Sequence, residues 1–431
     1  MLKPNQFFDK KQDNKKKKEI YFFSILSIIS ISSIAFYSYI LNNPIIVSDI
    51  PTIKIVAEGE ITKNDEMNCT IELSSKNSEE NVELIQGTIR LRGRYNVELP
   101  KKDYRLELSD PLPLLGMRDD DDWILFAMYN DLPKMQIKLA MELYRKLYAT
   151  NPTAILPSSR YVILYLNGKF QGLFLLAEKN DRKLFGLDKV NAAEPLNSSF
   201  IIQSSYDHEN FKYYLNEEWE QDYPNQEEGE GFYIMDTIMT DLVLFVSNTS
   251  DELFFDEKNG VYSKFNRQNL IDFYVYNFFI LHDDFWTHNY FIIRNTNTNS
   301  NPSKLILIPW DFDRCFGQWM KRKSSFERND QEFIRSNNEL FNRLLNDNSF
   351  RVDCKNRWFE LRETILSEEV ILDMLTEYYN EIKDIMDNEA DLWYPWLFSE
   401  GWREEVDVAT DRLFDWIPER LIFCDSYFEA F

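Results

Sequence analysis

The sequence predicts an α+β protein of two lobes, a β-rich one followed by a mainly helical one, preceded by one transmembrane helix. Three observations carry this. Short alternating apolar runs between polar turns fill the stretch from Pro51 to about Glu178, after which apolar residues recur at helical spacing. An uncharged apolar run, Ile20–Leu41, follows a lysine-rich tail. At 431 residues, 44% hydrophobic and 15% aromatic, the chain holds enough apolar material for a substantial core.

The membrane segment comes first. At about 1.5 Å per residue the run spans about 33 Å, enough for a bilayer core of about 30 Å. Lys10, Lys11 and Lys15 to Lys18 keep the N-terminal flank cytosolic and place the remainder in the secretory lumen or outside the cell. The alternative is a cleaved signal peptide, against which stand the length of the run and the lack of a small-residue cleavage site. Asn68, Asn197 and Asn248 each begin an N-x-S/T triplet, which fits that side of the membrane. The resulting division is a tail (1–19), a signal-anchor helix (20–41), a stalk (42–50), a β-rich lobe (51–180) and a mainly helical lobe (181–431). A net charge of −24 argues against nucleic acid as a partner, since phosphate backbones require a basic surface. The four cysteines show no C-x-x-C spacing, which argues against a zinc ribbon.

Strands are predicted at Thr52–Ala57, Cys69–Leu73, Glu83–Leu91 and Asp103–Leu108. Between the last two lie Arg90-Leu91-Arg92-Gly93-Arg94 and Pro100-Lys101-Lys102-Asp103-Tyr104-Arg105, two basic clusters in an acidic chain. They read either as a strand edge guarded by lysines or as a phosphate cradle. Strand alternation puts Lys102 and Tyr104 on one face and Lys101, Asp103 and Arg105 on the other, and leaves open which face meets a ligand. Asp119 to Asp122 is expected to be a solvated loop. Lys134–Tyr148 reads as a helix, whose Glu142 either pairs with a strand lysine or lies at the surface. Asn167-Gly168 predicts a type I′ hairpin between Tyr161–Tyr165 and Leu173–Leu176. Asn216–Gly231 is expected to be an exposed loop. Helices follow at Gly231–Val246, Leu270–Leu281, Gln331–Leu345, Val352–Leu366, Glu369–Asp387 and Asp407–Phe428, the last broken at Pro418.

Within the helical half one hairpin stands out. The runs Tyr290–Arg294 and Lys304–Ile308 flank an Asn/Thr/Ser/Pro-rich turn, so Asn289 and Asp311 fall together at its open end. Asp284 lies on the loop that feeds the first strand. Two carboxylates and an amide are hard oxygen donors suited to Mg²⁺. An Asp five positions before an Asn, then a hairpin, then Asp-Phe, is also the order in which protein kinases place base and metal ligands.

These pieces resemble the CotH spore-coat protein kinases, atypical secretory-pathway kinases with a protein-kinase-like fold. The resemblance rests on the two basic clusters, Leu114-Leu115-Gly116-Met117, Trp123-Ile124-Leu125, Leu166-Asn167-Gly168 through Glu178-Lys179, His288-Asn289-Tyr290 and Pro309-Trp310-Asp311-Phe312-Asp313. It implies ATP with Mg²⁺ or Mn²⁺ as cofactors, and a secreted or surface protein with a Ser or Thr acceptor as partner. It makes Asp284 the catalytic aspartate, Asp311 and Asn289 the metal ligands, and Lys101 or Lys102 the phosphate-contacting lysine. Arg92, Arg94 and Arg105 join that cradle, and Glu178 matches a glutamate near the nucleotide. The chain departs from the family pattern at Tyr95 and Asn96, and at Gln136 and Ile137. The alternative within the family is an inactive coat or surface protein that serves as scaffold or receptor.

Overall fold

A computed structural model describes residues 48–94, 96–225, 233–282, 284–298, 302–319, 322–399 and 406–431. The first strands are β1 (Thr52–Ala57), β2 (Met67–Ser74), β3 (Val82–Leu91), β4 (Tyr104–Pro113) and β5 (Asp119–Phe126). After helix α1 (Gln136–Lys146) come β6 (Ser159–Leu166) and β7 (Lys169–Glu178). These seven strands close into a barrel in the order β1-β2-β3-β4-β5-β7-β6, sealed by parallel pairing of Thr52 with Ile163. Side-chain alternation explains its interior: Ile53, Ile71, Ile89, Leu106, Trp123, Val162 and Phe174 are buried together in one apolar cluster.

The outer face of β5, β6 and β7 is apolar as well. Ile124, Phe126, Tyr161, Leu173 and Leu175 belong to a second, larger core that α1 and the C-terminal helices complete. Strands buried on both faces read as continuous apolar runs, as Tyr161–Leu164 does.

Beyond the barrel, β8 (Phe200–Ser204), β9 (Trp219–Tyr223), β10 (Tyr290–Arg294) and β11 (Ile306–Pro309) form a four-stranded sheet in the order β11-β10-β8-β9. Around it lie α2 (Met235–Asn248), α3 (Asp251–Phe254), α4 (Val261–Lys264) and α5 (Arg267–Ile280). A short ribbon, β12 (Gln318–Trp319) with β13 (Arg322–Lys323), leads to α6 (Gln331–Asn337), α7 (Glu339–Asn346), α8 (Asn348–Arg362), α9 (Glu368–Ser399) and α10 (Val406–Glu429).

This corrects the expected two-lobed, protein-kinase-like fold. The first strands shut into a closed barrel, the second half carries a sheet of its own, and the larger apolar core, outside the barrel interior, runs from Ile50 to Phe428 across both. The expected transmembrane helix at residues 20–41 lies outside the described residues, among which no helix is long and apolar enough to cross a membrane.

Smaller corrections follow from tertiary pairing. Asp119 to Asp122 opens β5 instead of forming a loop, with Asp120 fully buried between Arg118 and Lys183. The stretch expected to be a loop from Asn216 contains β9, and residues 226–232 lie outside the described set. The helix expected over Gln331–Leu345 is two helices meeting at Asn338, whose side chain caps the second. Pro418 does not break α10, which runs through it.

Candidate active site

The hairpin of β10 and β11 pairs Tyr290 with Pro309, and the Trp310 amide donates to the Asn289 carbonyl at 2.9 Å. Asn289 and Asp311 therefore meet at its mouth, as the strand register requires. Both are left-handed, at φ 62° and 63°, and so are Leu281 and Phe316 close by. Four non-glycine residues in this region mark a backbone held against its preference, a condition concentrated at functional sites.

His282 clamps the two aspartates. Its Nδ1 accepts the Asp284 amide proton at 3.1 Å, its Nε2 donates to the Asp311 carbonyl at 2.6 Å, and its ring stacks on Phe285 at 3.5 Å. Burial holds its pKa down at about 3, so the ring stays neutral and keeps both bonds.

Asp284 is buried, and burial raises its carboxyl above the ordinary range against the pull of Arg314. Arg314 Nη1 lies 2.8 and 2.7 Å from its two oxygens, Asn289 Nδ2 donates to it at 3.4 Å, and His288 Nε2 is 3.7 Å away. Asp311 is raised by burial and by the charges of Asp103 and Asp284, with Arg92 opposing. Asp313 is raised well above the usual range, again by burial first and by Asp311 next. This corner holds three carboxyl groups against two arginines.

A cleft lies in front of it, about 480 Å³ of empty space with its opening to solvent included. Trp310, Asp311 and Asp313 form one wall, Asn96, Lys101 and Asp103 another, and Phe126, Met128, Ile137 and Met141 an apolar side. Arg92 lies over the Phe126 ring at 4.9 Å and is among the charges acting on Asp311. Lys101 is 1% exposed; its Nζ donates to Glu389 Oε1 at 2.6 Å and to the Leu173 carbonyl at 2.5 Å. Burial lowers its pKa to about 7 against the pull of Glu389.

The remaining sequence-predicted residues lie elsewhere. Arg94 donates to the Ser205 carbonyl at 2.8 Å and stacks on Tyr206. Lys102 donates to the Val97 carbonyl at 2.5 Å. Arg105 is committed to Asp122 at 2.6 Å and Glu107 at 3.0 Å, on a side of β4 that does not line the cleft. Glu178 is buried and accepts the backbone amides of Arg118 and Ser158, each at 2.8 Å. Glu142 pairs with Arg145, not with a strand lysine.

Sequence reasoning missed His282, Arg314 and Glu389. For Glu389 a signal existed: it falls on the apolar stripe of Tyr378, Ile382, Ile385 and Met386, where an acid is conspicuous.

The donor set fits Mg²⁺ or Mn²⁺. Asp311 supplies a carboxylate in that corner, and Asn289, whose Nδ2 serves Asp284, keeps its amide oxygen available. Among the described residues no three His, Cys, Asp or Glu side chains are grouped to hold a metal alone. Such a sparse set suits a cation that takes its other ligands from phosphate and water.

No curated protein matches the chain. A family model described as CotH kinase protein matches residues 89–424, most of the sequence, and the chain belongs to that family.

Proposed function

We propose, with CotH-family membership as the premise, that the protein transfers the γ-phosphate of ATP to a Ser or Thr hydroxyl of a secreted or surface protein. One observation carries the reading. A corner of excess carboxylate faces a buried lysine across a single cleft, an arrangement that suits a metal cation on one side and phosphate on the other.

Asp311 and Asn289 would hold the divalent cation, which supplies charge neutralisation at the transferring phosphate. Asp284 would accept or orient the proton of the acceptor hydroxyl, and its raised pKa makes it a better base than a solvated aspartate. His282 fixes the spacing of Asp284 and Asp311 through both backbones. Lys101 and Arg92 would meet phosphate oxygens, Lys101 as a point charge and Arg92 as a fork. The apolar side of the cleft would take the base and exclude water.

A second reading has its own support. Arg314 engages both oxygens of Asp284, and a base held that way transfers poorly; the chain would then be a family member that binds nucleotide without turnover.

Incubation of the domain from Pro51 onward with labelled ATP, Mg²⁺ or Mn²⁺ and a protein acceptor separates the two. Label transfer that disappears in Asp284→Ala supports the kinase. Thermal stabilisation by metal–nucleotide without transfer supports the second reading, and neither response removes both.

A further inference from the structure

Lys101 is not the only lysine at Glu389. Lys134, in the loop between β5 and α1, places its Nζ 3.4 Å from the same Oε1 and donates to the Met128 carbonyl at 2.7 Å. Glu389 reaches them from α9, 288 residues away from Lys101 in sequence. Its other oxygen accepts the Leu173 amide at 2.8 Å. Gly172 makes room for it, since a Cβ there would sit 2.0 Å from Oε2. All three charged side chains are at most 4% exposed. The two lysines differ in one respect: Lys101 lines the cleft beside Asp103 and Asp311, and Lys134 does not.

Two buried lysines share one carboxylate, with Asp103 acting on Lys101 and Asp131 beside Lys134, and a buried cation drawn from its partner is costly until an anion replaces that partner. We infer that Glu389 is a shared counter-ion: phosphate entering the cleft draws Lys101 away from it, and Lys134 stays behind to keep the acid neutralised. The inference rests on the nucleotide reading above and adds to it a positioning role for Glu389 and Lys134. The groups facing Lys101 are Glu389 from α9, Lys134 from the loop before α1, Asp103 from the segment just before β4, and the Phe174 ring from β7. Without Lys134, Glu389 would be left alone in the interior whenever Lys101 moved.

The test is a titration of the full chain with Mg²⁺ and a non-hydrolysable ATP analogue, from about pH 6 to about pH 9, across the titration of Lys101. Lys134→Met is expected to weaken binding about tenfold or more, because the remaining lysine is held by an acid with no substitute partner. Glu389→Gln is expected to lose affinity above neutral pH and regain it toward pH 6, since Lys101 loses the charge that keeps it protonated. Combining the two is expected to cancel much of the loss, because Lys134 has no acid left to serve. Lys134→Arg, which keeps the charge, is expected to bind within about threefold of wild type.

Ligand-free melting curves separate a folding defect from a binding one. Wild-type binding that is indifferent to Lys134→Met, losses that simply add, or Lys134→Arg as weak as Lys134→Met would each overturn the exchange while leaving the nucleotide reading intact. No binding by the wild-type chain overturns both.

Discussion

The two sides of the cleft bury charge in opposite ways. At the hairpin mouth Asp284, Asp311 and Asp313 outnumber Arg92 and Arg314, and all three carboxyls are pushed up. Across the cleft Lys101 and Lys134 share Glu389, and Lys101 is pushed down to about 7. On the proposed reading each side gains a charge partner when a metal–phosphate enters the cleft. A cleft that bound such a ligand would give up stability when empty and recover it on binding.

The comparison breaks most visibly on the acidic side. Asp311→Ala is expected to lower phosphate transfer by at least about 10²–10³-fold. It should also raise the ligand-free melting temperature, because it deletes a half-buried charge whose raised pKa shows that the fold disfavours it. An unchanged or lower melting temperature would mean that Asp311 is well satisfied without a cation.

Asp284→Asn should cost about 10²–10⁴-fold in kcat while metal–nucleotide still stabilises the protein in thermal shift. Loss of both responses would make it a structural residue.

On the basic side, Gly172→Ala meets Glu389 at 2.0 Å and a φ of +89°. It is expected to destabilise by about 1–3 kcal/mol in urea unfolding and to raise the KM for ATP by dislodging α9.

His282 gives a pH signature between the two sides. It binds a proton near pH 6.5 when unfolded but only near 3 when folded, so the unfolded state takes up more protons in between and stability falls as pH drops through that window. From pH 7 to pH 5 the expected loss is about 2 kcal/mol, read from urea midpoints, and His282→Gln should flatten it.

The smallest effect is expected at Arg105→Ala. With the guanidinium committed to Asp122 and Glu107, the KM for ATP should move by about twofold or less. A larger rise would return Arg105 to the phosphate cradle.

The acidic side was legible because it is local. Asp284 and Asn289 are five positions apart, and Asn289 meets Asp311 through one short hairpin whose first strand, Tyr290–Arg294, starts and ends where the pattern places it. The basic side was half legible. Both lysines of the Pro100 segment stood out, but only packing selects Lys101, which lines the cleft, over Lys102, which serves the Val97 carbonyl. Arg105 and Glu178 looked equivalent to the cleft residues in sequence, yet neighbouring carboxylates and backbone amides claim them first.

Alternation and turn chemistry in the sequence determined most strands, the Asn-Gly turn and the mouth of the β10–β11 hairpin, because each depends on residues within one short loop of each other. Closure of the barrel by Thr52 against Ile163, the larger core joining the barrel's outer face to helices, and the meeting of Lys101 with Glu389 were decided only in three dimensions. Those contacts join segments with no local signal for each other, and burial of apolar faces that many pairings could satisfy selects among them.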